Sequence, residues 1–267
     1  MIHLCNACGT SYSNPAAPPR RCAICDDERQ FVPVNGQRWT TEADLQSDHA
    51  NKWRQISPNV LSIQTEPRFA IGQRAFLITT PDGNILWDCL ACLDAATVTL
   101  VRKLGGIKAI AISHPHYYTT MQDWASTFDA QIFLHADDRQ WVMRESPRIT
   151  FWGGESLSIA PDISIVRLGG HFAGGSVLHW SQGGGVIFAG DIVQVSPGAD
   201  RVSFMWSYPN LLPLPAAKVS DIAARLTAYE FVSLHGAFAG QDIDRDAKVI
   251  VAQSAARYVA CLRADRP

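Results

Sequence analysis

From Asn59 onward, short runs of apolar residues alternate with polar or turn-forming stretches, and this alternation sets the expected elements. Val60-Leu61-Ser62-Ile63 and Ala75-Phe76-Leu77-Ile78 read as strands. Pro81-Asp82-Gly83-Asn84 is a turn into a third, Ile85-Leu86-Trp87. Residues 94–104 have helical character and stop at Gly105-Gly106. Ala109-Ile110-Ala111-Ile112 is apolar at every position, as expected of a strand in a sheet covered on both faces. Further strands are expected at about 163–168 and 186–188, and late helices at about 215–229 and 246–263. Strands interleaved with helices predict an α/β protein. Ahead of this pattern, residues 40–56 are polar with scattered Leu45, Trp53 and Ile56, which reads as a helix-containing connector. No repeat at solenoid spacing is present.

The first 36 residues differ in kind. Six of the seven cysteines fall in pairs, and the first two pairs bracket a stretch holding Pro15, Pro18 and Pro19, which is poor material for a core. The expected organisation is a four-cysteine module at 1–36, a helical connector at 37–58 and the α/β domain at 59–267. Cys5-Asn6-Ala7-Cys8 and Cys22-Ala23-Ile24-Cys25 stand thirteen residues apart, and each pair can reach one ion from a single tight turn. Two such turns supply four thiolates to a closed tetrahedral site, the structural kind of metal centre. The stretch resembles rubredoxin-like zinc ribbons, with Asp26 where a glycine is common. Zn2+ is therefore expected, iron being the other occupant such ribbons accept, and the role expected is scaffolding or docking.

Bulk properties narrow the function classes. A hydrophobic share of 47% and a charged share of 18% describe a packed globule. A net charge of -2 without a basic run argues against a sequence-independent grip on nucleic acid. No stretch approaches the ~18 apolar residues of a membrane span, and the start lacks the pattern of a secretory signal. A cytoplasmic protein with a small-molecule substrate is expected, with no nucleic-acid or membrane partner; a homodimer is compatible with the sequence. Reduced thiols then read first as metal ligands or buried groups.

Four of the eight histidines stand where chemistry could need them. Ser113-His114-Pro115-His116 leaves the apolar strand, and residues two apart in extended backbone point the same way. Gly170-His171-Phe172-Ala173-Gly174 is a Gly-rich loop after a strand. Phe188-Ala189-Gly190-Asp191 delivers a carboxylate at a strand end, and Ser233-Leu234-His235-Gly236 ends another strand. Each alone is more often a hydrogen-bonded structural residue. Together, imidazoles with one carboxylate suit Zn2+ or Fe2+.

The order His-x-His, Gly-His-x-x-Gly, Gly-Asp, His-Gly is similar to that of the metallo-β-lactamase superfamily, particularly its glyoxalase-II-like hydrolases, over about 59–240. The resemblance implies a four-layer αβ/βα sandwich with metal at one edge, joined here to the small N-terminal zinc ribbon. It implies that His114, His116 and His171 bind a first metal, that Asp191 lies between two metal positions, and that His235 belongs to the second. Asp88 resembles the family's early strand-end Asp. One departure matters. The family motif continues as His-x-His-x-Asp-His, whereas this chain reads His114-Pro115-His116-Tyr117-Tyr118-Thr119. With Tyr118 and Thr119 in those places, one ion is expected, Zn2+ or Fe2+, on His114, His116, His171 and Asp191, with His235 near it or completing its shell.

A single metal with an open position implies a hydrolase of an ester, thioester or lactone, with Tyr118, Asp191 and His235 as the candidate catalytic groups. A mononuclear iron enzyme of oxygen or sulfur chemistry, and a non-catalytic binding or sensory protein, stay open. Hydrolysis of β-lactams is not expected without an export signal. Tyr117, Trp152, Phe172, Phe204 and Trp206 are candidate pocket walls, ordinary core packing being the competing role. Cys89-Leu90-Ala91-Cys92 reads as two buried thiols rather than a redox pair, and Cys261 as a small core residue. His3, His49, His135 and His179 carry no recognisable motif.

Overall fold

A computed structural model describes residues 1–13 and 16–263, so Pro15 lies outside the described residues, as do the last four. The chain folds as two compact units, Met1–Trp152 and Gly153–Pro267.

The first unit carries a seven-stranded sheet. In spatial order its strands are Ile149–Trp152, Gln131–His135, Ala109–Ala111, Ile85–Trp87, Arg74–Ile78, Val60–Glu66 and Ala50–Ser57. The four from Ile149–Trp152 to Ile85–Trp87 run parallel, and the remaining pairs are antiparallel. Central strands are buried along their whole length, which explains their unbroken apolar runs. The helix Ala95–Lys103 begins where Asp94 caps it, accepting from Thr97 N at 2.7 Å. Of the stretch expected as a helical connector, only Glu42–Asp48 is helical; Ala50–Ser57 is the sheet's edge strand. None of its residues is fully buried, so it lacks the apolar face that would have announced a strand.

Ahead of that sheet lies a three-stranded one, Ser11–Ser13, Ile2–Cys5 and Trp39–Thr40 in order. It holds a cluster of Cys5, Cys8, Cys22, Ile24 and Cys25, with Tyr12, Trp39 and Val32 packed around it.

The second unit has a six-stranded sheet ordered Ser156–Ala160, Ile163–Arg167, Ser176–Trp180, Val186–Gly190, Ser233–Gly236 and Asp242–Ile243. Only Val186–Gly190 and Ser233–Gly236 pair in parallel. Helices Ala216–Thr227 and Ala247–Leu262 supply Val219, Ile222, Leu226 and Val251 to a core shared with Ile187, Ala189 and Leu234. Cys261, expected in the core, is exposed: it falls on the outer face of the last helix turn. Among the described residues no helix is long and apolar enough to cross a membrane.

Candidate metal centres

The four N-terminal sulfurs all lie within 4.8 Å of one another, with Cys5 to Cys25 and Cys8 to Cys22 each at 3.6 Å. A tetrahedron with Zn–S bonds of ~2.3 Å has edges of ~3.8 Å, so this spacing fits a closed metal site. Gln37 Nε2 donates to Cys5 Sγ at 3.1 Å and Tyr12 Oη donates to Cys22 Sγ at 3.3 Å, the kind of support a charged thiolate attracts. Hydrogen bonds from the neighbouring cysteines, Cys22 foremost, pull the Cys5 thiol well below its ordinary range, while burial holds Cys8 well above it. Sulfurs this crowded ionise together only when a cation offsets their repulsion.

The histidine loop is built differently from the extended arrangement expected for it. His114 is extended, but Pro115 opens a turn of 3-10 helix, Pro115–Tyr117, which carries His116 round toward His114. The two rings sit 5.0 Å apart at 71°. Asp88, buried at a left-handed φ of 59°, accepts from Ser113 N at 2.7 Å and so ties the start of the loop to the neighbouring strand end. Ser113 Oγ lies 2.9 Å from His114 Nδ1 and engages that nitrogen. Tyr117 stacks edge-on against His114 at 4.5 Å.

His171 follows two glycines with left-handed backbone, Gly169 and Gly170. A Cβ at Gly170 would lie 3.1 Å from Ile222 and 3.2 Å from Leu214, so the loop can hug the core only with glycine there. His171 Nδ1 lies 2.6 Å from the Trp206 carbonyl. A carbonyl only accepts, so Nδ1 carries the proton and Nε2 keeps its lone pair for a ligand. Asp191 follows the strand Val186–Gly190, and Tyr208 Oη donates to its carbonyl at 2.7 Å. One segment, Trp206 to Tyr208, thereby positions both His171 and Asp191. Burial, with the Asp191 charge, pushes the Tyr208 phenol well above its ordinary range, so it serves as a donor only.

His114, His116, His171 and Asp191, all buried, each offer one ligand atom, and these four atoms lie within 4.8 Å of one another. His235 is not one of the four. Its Nδ1 bonds Asp242 Oδ1 at 2.7 Å across the neighbouring strand pair. Tyr118 is buried, and that burial, with Asp138 adding to it, raises its phenol well above the usual range. Of the expected pocket walls, Phe172 lies 5.2 Å from the His171 ring, Trp152 packs edge-on to His135 at 4.5 Å, and Trp206 is half-buried. Phe204 is fully buried in the core of the second unit, where Tyr258 packs on it. Burial pushes Cys89 up to about 12 and Cys92 up to about 11, which leaves both as neutral thiols. Ser113, Asp242, the Tyr208 hydroxyl and the carbonyl of Trp206 escape sequence reasoning, because none of them carries a motif.

Three histidines and one aspartate gathered from separate loops of an α/β fold make a donor set that could hold a metal ion. The chain belongs to the metallo-β-lactamase superfamily, whose family model matches residues 70–226. It is 46% identical over 268 residues to the uncharacterized protein YmaE of Bacillus subtilis (strain 168), covering 98% of this chain and 97% of that one. Among solved structures it is similar to a B3 metallo-β-lactamase with an active-site glutamic acid, at TM-score 0.55 and 20% identity over 91% of this chain and 100% of the other. It is also similar to the mono-zinc form of metallo-β-lactamase FIM-1 of Pseudomonas aeruginosa, at TM-score 0.58 and 15% identity over 78% and 96%. The fold is thus the metallo-β-lactamase sandwich.

Proposed function

We propose that this protein is a mononuclear metal-dependent hydrolase of an ester, thioester or lactone, using one Zn2+ or Fe2+ held by His114, His116, His171 and Asp191. The observation that carries this reading is the 4.8 Å spread of those four donors, with Tyr118 and Thr119 standing where the family motif continues with Asp and His. Three imidazoles and one carboxylate match the preference of zinc or ferrous iron. Bound there, such an ion supplies a Lewis acid and brings a water's pKa down to about 7.

The chain's own groups do the rest. Ser113 and the Trp206 carbonyl fix the rings of His114 and His171. Asp242 orients His235, on the strand beside the one that delivers Asp191, and His235 is our candidate general base. Tyr118, kept protonated by burial, takes no proton at neutral pH. Phe172, Trp206 and Tyr208 around His171 favour an apolar or aromatic acyl group. The mono-zinc FIM-1 structure supports a single ion as compatible with this fold. The test is a panel of aryl esters, thioesters and lactones offered to protein loaded with zinc or, anaerobically, with iron. Turnover that falls at least a hundredfold in His116→Ala, in step with the loss of one ion, is expected. No turnover on any member with the ion bound would overturn the reading.

A further inference from the structure

The four-cysteine module and the histidine loop meet at Thr119. Its carbonyl accepts two hydrogen bonds from Ser11, from N at 3.2 Å and from Oγ at 2.6 Å. Ser11 stands three residues beyond Cys8 and opens the strand that pairs with Ile2–Cys5. Its hydroxyl is also an acceptor, taking a bond from Arg144 at 3.1 Å. Arg144 makes a two-pronged ion pair with Asp123, at 2.6 and 3.1 Å, in the helix Met121–Phe128 that comes directly after the loop.

The other face of Thr119 is backed by the cysteine turn itself. Gly9, at φ 79°, donates to Cys5 O at 2.7 Å, and a Cβ on it would sit 3.4 Å from Thr119 Cγ2 and 3.3 Å from Ala91 Cβ. Ser11 and Thr119 are both buried. Thr119 adopts φ 35°, a left-handed conformation that a β-branched residue resists. Such a residue persists only where its surroundings over-determine it. Among those surroundings, beside Cys89 and Ala91, are Ser11 and Gly9, which directly follow the turn that carries Cys5 and Cys8. Three residues back along the chain is His116.

We propose that the cysteine module is a brace for the histidine loop: with a metal on Cys5, Cys8, Cys22 and Cys25, Ser11 clamps the Thr119 carbonyl and holds His116 in ligating position. Ser11 is then a positioning residue for the second metal, and loss of the thiolate-bound ion loosens the imidazole-bound one. The part concerning affinity rests on the single-ion reading above; the clamp on the loop does not.

The test uses full-length protein and two readouts. Cobalt is titrated into the imidazole site against a competing chelator, with the thiolate site kept filled with zinc, in the native chain, Ser11→Ala and Ser11→Thr. Amide exchange is followed at Tyr117–Thr120, with the strand Arg74–Ile78 as internal reference. Ser11→Ala is expected to weaken cobalt about tenfold or more, the scale typical when a ligand's support is removed. It should also speed exchange at Tyr117–Thr120 while the reference strand is unchanged, and Ser11→Thr should restore both. Unchanged exchange at Tyr117–Thr120 in Ser11→Ala overturns the brace. So does unchanged cobalt affinity in a chain that binds cobalt. A native chain that takes no cobalt at the imidazoles sinks the single-ion reading, and the exchange result then decides the brace alone.

Discussion

The chemistry at single residues turns on what each side chain's second polar atom touches. His171 can be a ligand through Nε2 because a carbonyl holds the proton on Nδ1, and His114 has Ser113 at its own Nδ1. Tyr118 tests the converse. It stands in the family's Asp position, yet burial keeps its phenol protonated, so it is no base, and we read it as a ring filling space. Tyr118→Phe should therefore leave turnover within a few-fold of native. A drop of a hundredfold or more, the scale of a lost general acid, would show that the hydroxyl takes part. The histidines and Asp191 were legible because each sits in a short motif at a strand end. Their supports were not, since Ser113 and the Trp206 carbonyl have no signature beyond their place in space.

Elements explain why the motifs arrive where they do. Apolar runs of interior strands, such as Ile85–Trp87 and Ala109–Ala111, were readable directly because each strand is buried along its whole length. Ala50–Ser57 was not, because an edge strand with no fully buried residue carries polar side chains that a helix or loop would also accept. Pro115 misled in the opposite way: an extended His-x-His became a helical turn, which proline suits at its first position. The helix Ala95–Lys103 depends on Asp94, which caps Thr97 N and also accepts from Asn51 N at 2.9 Å. Asp94→Ala removes the acceptor of both bonds and should lower stability by about 2 kcal/mol in urea unfolding. A change under about 0.5 kcal/mol would mean the cap is dispensable.

For the whole molecule, the order of motifs alone was enough to identify the family. It could not disclose that residues far apart in sequence, Ser11 and Thr119, join the thiolate module to the histidine loop. On the reading proposed above, this chain carries two metal sites of different chemistry, one ion on four thiolates and one on three imidazoles and a carboxylate. Counting metal per chain in purified, fully loaded protein tests it most directly, with anomalous scattering at the zinc and iron edges naming each ion. Two ions are predicted, falling to one in His114→Ala/His116→Ala, with the ion that stays bound at the cysteines. A third ion in the native chain, or two ions still bound after both histidines are removed, would contradict the claim.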